Sequence, residues 1–217
     1  MTAAERGRFI TLEGSEGSGK TTAARHLVDW LRSRGERVLL THEPGGTPLG
    51  DEVRRLVLHL RDLSDDLDPR TDALLYAAAR AQHTARVILP ALGRGEHVVC
   101  ARYLDSSMAY QGAGYGNDPE ELRRLQAFAT YGTLPDLTVL IDVPVEVGLG
   151  RKRHGPWNRF EDTQSVAFFE KVRRAYLDLA AAEPERFRVV DGSGSVEATD
   201  RLIRGVVGEL LPELLPG

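Results

Sequence analysis

A single cysteine in 217 residues leaves no room for an internal disulfide framework, and that scarcity suits a reducing, cytoplasmic compartment. Cys100 itself lies inside an apolar run and reads as an inert core thiol. Long hydrophobic runs are also lacking. No stretch approaches the length of a membrane-spanning helix, so no membrane partner is expected. The opening residues MTAAERGR carry no apolar signal core, and export is not expected. Positive charge is not in excess either. Twenty-eight Lys and Arg stand against 32 Asp and Glu, a formal net charge of −4. That balance argues against a protein that lives on nucleic-acid backbone. Any anionic ligand must be met by local positive charge. Repeats, low-complexity tracts and long linkers are absent, and the length suits one globular domain over residues 1–217.

What is present is an alternation. Short apolar runs at Phe9–Leu12, Val38–Leu40, His97–Cys100, Thr138–Ile141 and Phe187–Val190 read as buried strands, spaced too widely for hairpins. Segments of helical period lie between them, at Thr21–Arg34, Asp51–Leu60, Thr71–Leu92, Pro119–Tyr131, Val145–Arg153 and Val166–Ala182, with a last one at Val196–Leu215. Strand and helix in alternation predict an α/β fold with a five-stranded parallel sheet and helices on both faces. In such folds ligands bind beyond the carboxyl ends of the strands.

The first strand runs into EGSEGSGKTT, in which Gly14, Ser15, Glu16, Gly17, Ser18, Gly19, Lys20 and Thr21 match the G-x-x-x-x-G-K-[ST] phosphate loop. Glycines let successive N–H groups turn inward around phosphate oxygens, and the helix that follows points its positive end at them. Lys20 reaches the outer phosphates, the Thr21 hydroxyl is a ligand for Mg²⁺, and Thr22 follows at the rim. A strand before the motif and a helix after it make phosphate binding the reading to follow. The motif does not separate a kinase from other nucleotide hydrolases. A GTPase would need a base-reading Asn-Lys-x-Asp, which is missing, and larger ATPases need domains for which there is no room.

Beyond the second strand comes EPGGT, then a helix with Arg54, then LLYAAARAQH with Tyr76 and Arg80 four residues apart on one helical face. A ring stacked on a base beside an Arg would make a nucleobase site. The spacing alone fits a core Tyr beside a solvated Arg better. EGSEGSGKTT, EPGGT with an Arg seven residues after the Thr, LLYAAARAQH, RYLDSSMAYQG and PDLTVLIDVP, in that order, resemble bacterial thymidylate kinase over nearly the whole chain. The resemblance implies transfer of the γ-phosphate of ATP to thymidine monophosphate, and a homodimer. It implies that Arg54 and Arg102 clamp the acceptor's phosphate, that Tyr76 stacks on thymine, and that Arg80, Ser107 and Gln111 read its edge. It further implies that Tyr110 crowds the sugar's 2′ position and that Glu16 approaches its 3′-hydroxyl. The acceptor region would span about residues 43–115. A cis Glu43–Pro44 bond is plausible there.

The loop interior has no basic residue, so the positive charge needed over the transferring oxygens must come from elsewhere. GLGRKRHGPWNRFEDTQ supplies a basic cluster broken by Gly155-Pro156. Alone it reads as a solvated helix end. The resemblance makes residues 151–162 a lid, with Arg151, Arg153 and Arg159 closing on ATP. One position departs from the family at the chemistry: Ala101 stands before Arg102-Tyr103, where an Asp that helps hold the metal is usual. Three readings follow. Thr21 and the substrates' phosphates hold Mg²⁺ with reduced catalysis; or Glu13, Asp105 or Glu161 takes over the water contact; or the protein binds nucleotides without useful turnover. A kinase for another nucleoside monophosphate is the nearest rival.

Overall fold

The computed structural model describes residues 6–58, 67–152 and 164–214. Five strands, β1 (Phe9–Glu13), β2 (Val38–His42), β3 (His97–Ala101), β4 (Leu137–Asp142) and β5 (Phe187–Asp191), form one sheet in the order β2-β3-β1-β4-β5. All four pairings are parallel, with Leu12 level with Ala101 on one side and Val139 on the other. The expected fold class and strand count are therefore correct. Each strand runs one or two residues further than the apolar pattern indicates. Glu13, Thr41 with His42, Ala101, Asp142 and Asp191 continue the ladder after the apolar run has ended.

Side chains of period two explain why both faces are covered. Ile10 and Leu12 point to one face, where they meet α1 (Lys20–Ser33) and the C-terminal helix, which is α9 here (Val196–Leu210). Phe9 points to the other and packs on Tyr103, Leu92 and Ile88. That second face also carries α2 (Pro48–Leu58), α3 (Pro69–His83) and the long helix α8 (Val166–Ala182), whose Phe168, Phe169, Val172 and Tyr176 fill a cluster with Leu140 and Phe187. Truncating a fully buried residue such as Leu12 to Ala would cost about 2–5 kcal/mol.

The predicted helix over 71–92 is a composite. α3 ends at His83, wider π turns run from Thr84 to Ile88, and α4 (Leu89–Gly93) completes the path. Pro90 has no N–H to give to the preceding turn, and a π segment just before it absorbs that break. After β3 the hydroxyl-rich stretch, which has no apolar run, is helical too: α5 (Leu104–Ser107) and a π segment, Met108–Gly114. The remaining helices are α6 (Pro119–Ala129), capped by the Asp118 carboxylate, and α7 (Val145–Lys152). Pro212 ends the last predicted helix early, and a short 3₁₀ turn, Pro212–Leu214, follows. No helix of the described residues is long and apolar enough to cross a membrane.

Candidate active site

The carboxyl ends of β1, β2, β3 and β5 open onto one cavity of about 610 Å³. The phosphate loop, between Glu13 and Lys20, lies at its middle. Gly17 has φ +71°, and a Cβ there would lie 1.9 Å from the Gly148 carbonyl oxygen of α7, so only glycine lets the loop seat against that helix. Lys20 is buried and folds back over the loop. Its Nζ donates to the carbonyl oxygens of Gly14 (2.9 Å) and Ser15 (2.7 Å) and to Ser18 Oγ (3.1 Å). Burial, and then the charge of Arg102, lower the Lys20 ammonium to about 7, against the pull of Glu16 and Glu13. Thr21 and Thr22 line the cavity beside it.

Arg102 follows β3 with φ +70°, a left-handed conformation that an L side chain adopts at a cost of roughly 1–3 kcal/mol. The bend turns its guanidinium beneath the loop. Nη2 donates to Glu16 Oε1 (2.6 Å) and Tyr110 OH (3.3 Å), and Nη1 to Gly14 O (3.3 Å) and Ser106 Oγ (3.2 Å). The Tyr110 ring lies 4.9 Å from the guanidinium carbon. Burial raises the Glu16 carboxyl, but Arg102, Lys20 and Lys152 outweigh it and hold the group below its ordinary value. Four expected site residues, Glu16, Lys20, Arg102 and Tyr110, are thus brought together.

Two of the three acids suggested as substitutes at Ala101, Glu13 and Asp105, are otherwise engaged. Glu13 is fully buried, accepting from Tyr103 N–H (2.6 Å), Ser106 Oγ (2.7 Å) and Tyr176 OH (2.9 Å). Burial, and next the charge of Asp105, raise its carboxyl. Asp105 takes a two-pronged contact from Arg186, at 2.8 and 2.9 Å. Glu161 lies outside the described residues, as do Arg153 and Arg159. Ala101 belongs to the apolar cluster under α1, beside Leu12 and Ala23. Burial pushes the thiol of neighbouring Cys100 well up, in keeping with an inert core group.

One end of the cavity is built by α3. Tyr76 and Arg80 both line it, with Arg54, Leu58 and Gln111. Arg80 is not solvated: it is 1% exposed and its charge is spent inside the protein. Nε donates to Glu43 Oε2 (2.7 Å), Nη1 to Ser107 Oγ (2.9 Å) and to Gln126 Oε1, and Nη2 to Tyr103 O (3.0 Å). Of its five N–H groups one, on Nη2, has no bond to the described residues. Glu43 also accepts from or shares a proton with His83 Nδ1 (2.8 Å), whose Nε2 meets Thr41 Oγ1 (2.7 Å). Gln111 is buried and donates from Nε2 to Asp72 (2.9 Å). Arg54 donates to Pro44 O (3.0 Å), beside the cis Glu43–Pro44 bond; burial, helped by the charge of Arg102 and opposed by Tyr76, leaves its guanidinium below the ordinary value. Sequence reasoning passed over Asp72, although it precedes Tyr76 by one helical turn on the same face. It also passed over Glu43, His83 and Gln126, for which no local pattern exists.

The other end is formed by a turn and the first residues of a helix. The turn after β5, with Gly192 and Gly194, and the start of α9 line it with Ala23 and Arg151. Arg151 donates to the carbonyls of Gly192 (2.9 Å), Ser193 (3.1 Å) and Gly194 (3.3 Å). It therefore braces this turn, while Lys152, also lining the cavity, is the α7 cation whose charge acts on Glu16 and Lys20.

A parallel sheet with a phosphate loop at its centre and a two-ended cavity above it defines a nucleotide kinase of the phosphate-loop fold. A family model described as thymidylate kinase matches residues 12–203. Thymidylate kinases of Citrifermentans bemidjiense and Bifidobacterium longum are 47% and 48% identical, covering 96% and 94% of this chain and 94% and 98% of their own. A crystal structure of thymidylate kinase from Ehrlichia chaffeensis superposes with a TM-score of 0.74 at 30% identity, over 93% of this chain and 99% of that one. The chain belongs to the thymidylate kinase family.

Proposed function

We propose that thymidylate binds at the α3 end of the cavity, ATP at the end formed by the turn after β5, and that the γ-phosphoryl group passes between them over the phosphate loop. The observation that carries this assignment is the continuity of the cavity from Tyr76 and Arg80, past Lys20 and Arg102, to Gly192 and Ser195. Two anionic nucleotides laid end to end there meet buried positive charge where their phosphates converge.

The acceptor phosphate is already an anionic nucleophile, so positioning and charge stabilisation do most of the work. Arg102 gives its fork to the acceptor phosphate, with Arg54 on the opposite wall, a use that suits a planar guanidinium. The arriving phosphate competes with Glu16 for Arg102, which frees Glu16 for the sugar hydroxyl. Lys20 exchanges the loop carbonyls for the donor's outer phosphates. Tyr76 offers its ring to the base, and Tyr110 stands against the sugar.

Among the described residues no group of three or more acids, histidines or cysteines could hold a metal. The donor set fits a Mg²⁺ that arrives with the phosphates, held by the Thr21 hydroxyl, phosphate oxygens and water. It would neutralise charge on the transferring group. Replacing Ala101 by Asp is expected to tighten half-saturation by Mg²⁺ about 10–100-fold. Equal metal titrations of variant and parent would remove that role.

Turnover of ATP with thymidylate, deoxycytidylate, deoxyguanylate and thymidine as acceptors tests the assignment. Thymidylate should be used best by a wide margin. A preference for any of the others would defeat it. Self-association is the reading of an exposed apolar surface on α3, α6 and the turn beyond: Leu74, Phe128 (83% exposed), Tyr131 and Leu134. Sedimentation should give twice the chain mass. The single buried thiol supports a cytoplasmic setting.

A further inference from the structure

The α3 end of the cavity carries a polarity lock. Asp72, Tyr76 and Arg80 succeed one another at four-residue intervals along one face of α3. Tyr76 and Arg80 line the cavity, whereas Asp72 is buried, does not line it, and accepts from Gln111 Nε2 at 2.9 Å. An ionised carboxylate can only accept hydrogen bonds. Asp72 lies in the first turn of α3 and serves Gln111 as an acceptor. The Gln111 amide, 2% exposed, therefore has its nitrogen pinned away from the ring site. Its Oε1 takes no hydrogen bond from the described residues, and Gln111 lines the cavity. Rotating the amide would set that oxygen against the carboxylate.

We propose that Asp72 is the residue that selects a 4-keto pyrimidine over a 4-amino pyrimidine, by fixing the orientation of the Gln111 amide through the buried Asp72–Gln111 contact. Resting on the acceptor site assigned above, it adds the origin of base choice there. A thymine or uracil edge shows a donor at N3 and an acceptor at O4. Gln111 Oε1 accepts from N3–H, while the unbonded N–H of Arg80 is left for O4. A cytosine edge reverses both signs, with an acceptor at N3 and an amino group at C4. Arg80 cannot reverse, because a guanidinium has no acceptor. Gln111 could reverse by turning over, and the Asp72 carboxylate prevents it. Asp72 is thus a positioning residue, and its effect falls on base choice rather than on phosphoryl transfer.

The test is kcat/KM for thymidylate, deoxyuridylate and deoxycytidylate in the parent, Asp72→Asn, Asp72→Glu and Gln111→Leu. An Asn amide can serve either polarity, so Asp72→Asn should reduce the preference for thymidylate over deoxycytidylate by about ten- to a hundredfold. The preference for thymidylate over deoxyuridylate, which rests on a methyl group, should stay as in the parent. Asp72→Glu, still an acceptor only, should keep discrimination against cytosine. The inference is overturned if Asp72→Asn keeps the parental ratio while Gln111→Leu loses it, or if Asp72→Glu loses as much as Asp72→Asn. If Gln111→Leu also keeps the ratio, the acceptor site itself has been misplaced and the lock falls with it. Should Asp72→Asn fail to fold, ¹⁵N-labelled parent protein decides. One Gln111 side-chain amide proton should be protected from exchange before thymidylate is added, and two freely exchanging protons would overturn the inference.

Discussion

The two ends of the cavity are made of different materials. At the α3 end the walls are long side chains whose polar atoms are buried and mutually bonded: Arg80 to Glu43, Ser107 and Gln126, Glu43 to His83, and Gln111 to Asp72. At the end beyond β5 the walls are glycine, short side chains and main-chain carbonyls, with Arg151 laid across them. A side-chain network in a low-dielectric interior fixes donor and acceptor positions, and it penalises a ligand that presents the wrong ones. A main-chain turn holds a ligand by shape and offers few fixed contacts. The α3 end therefore combines fixed polarity with a place in the protein's core. The end beyond β5 has neither.

The contrast can be broken most forcefully between the two ends, at Arg102. Arg102→Ala should lower kcat/KM by about 10³-fold, because it removes both the clamp on the acceptor phosphate and charge beside the transferring group. Steady-state rates with both nucleotides measure this, and a loss below tenfold would place the transfer elsewhere. Arg80→Ala sharpens the comparison through stability. It strands the buried Glu43 and should cost roughly 3–5 kcal/mol, lowering Tm by about 10 °C. Thermal melting of the unliganded protein reads it directly. Arg151→Ala, at the other end, should leave Tm nearly unchanged and raise KM for ATP about three- to tenfold, with KM for thymidylate as in the parent. A large fall in Tm there would erase the distinction.

The smallest effect is a proton. Lys20 titrates near 7 without ligand, below its ordinary 10.5. The unfolded chain then holds more protons between those values, so Lys20 makes stability rise with pH across that window. Donor phosphates favour the ammonium and raise its pKa. Near pH 8, ATP binding should take up a proton, somewhat less than one per site, and the uptake should vanish below about pH 6, where Lys20 is already charged. Calorimetry in buffers of differing ionisation enthalpy measures it. Proton release at pH 8 would contradict the buried, lowered state.

The same division shows how much the sequence makes legible. A phosphate loop is local, and its spacing reports the chemistry of consecutive residues, so residues 14–21 could be read outright. The alternation of strands and helices is local too, and it yields the five-stranded parallel sheet. Tyr76 and Arg80 emerge from a four-residue spacing, which extended one turn back would have reached Asp72. The partners of Arg80 could not be read in this way. Glu43 and Gln126 lie 37 and 46 residues away, and only the folded chain sets them around one guanidinium. Glu13 looks available as a substitute for the acid missing at 101, until the fold delivers Tyr176 to it from 163 residues along the chain. The helical path through residues 104–114 was hidden because its small and polar residues make no apolar stripe, and its π turns break the usual spacing. Arg151 was expected over the transferring phosphates, yet its side chain spans the turn after β5, which no spacing could have indicated.

The central claim is that both nucleotides lie in one continuous cavity and meet over the phosphate loop. A single molecule in which adenosine and thymidine are joined 5′ to 5′ through a chain of phosphates measures this most directly, by calorimetric titration followed by competition with each nucleotide. One equivalent should bind and displace ATP and thymidylate together, with affinity falling sharply for Arg102→Ala. A ligand that displaced only one of the two, or that bound Arg102→Ala as tightly as the parent, would contradict the account.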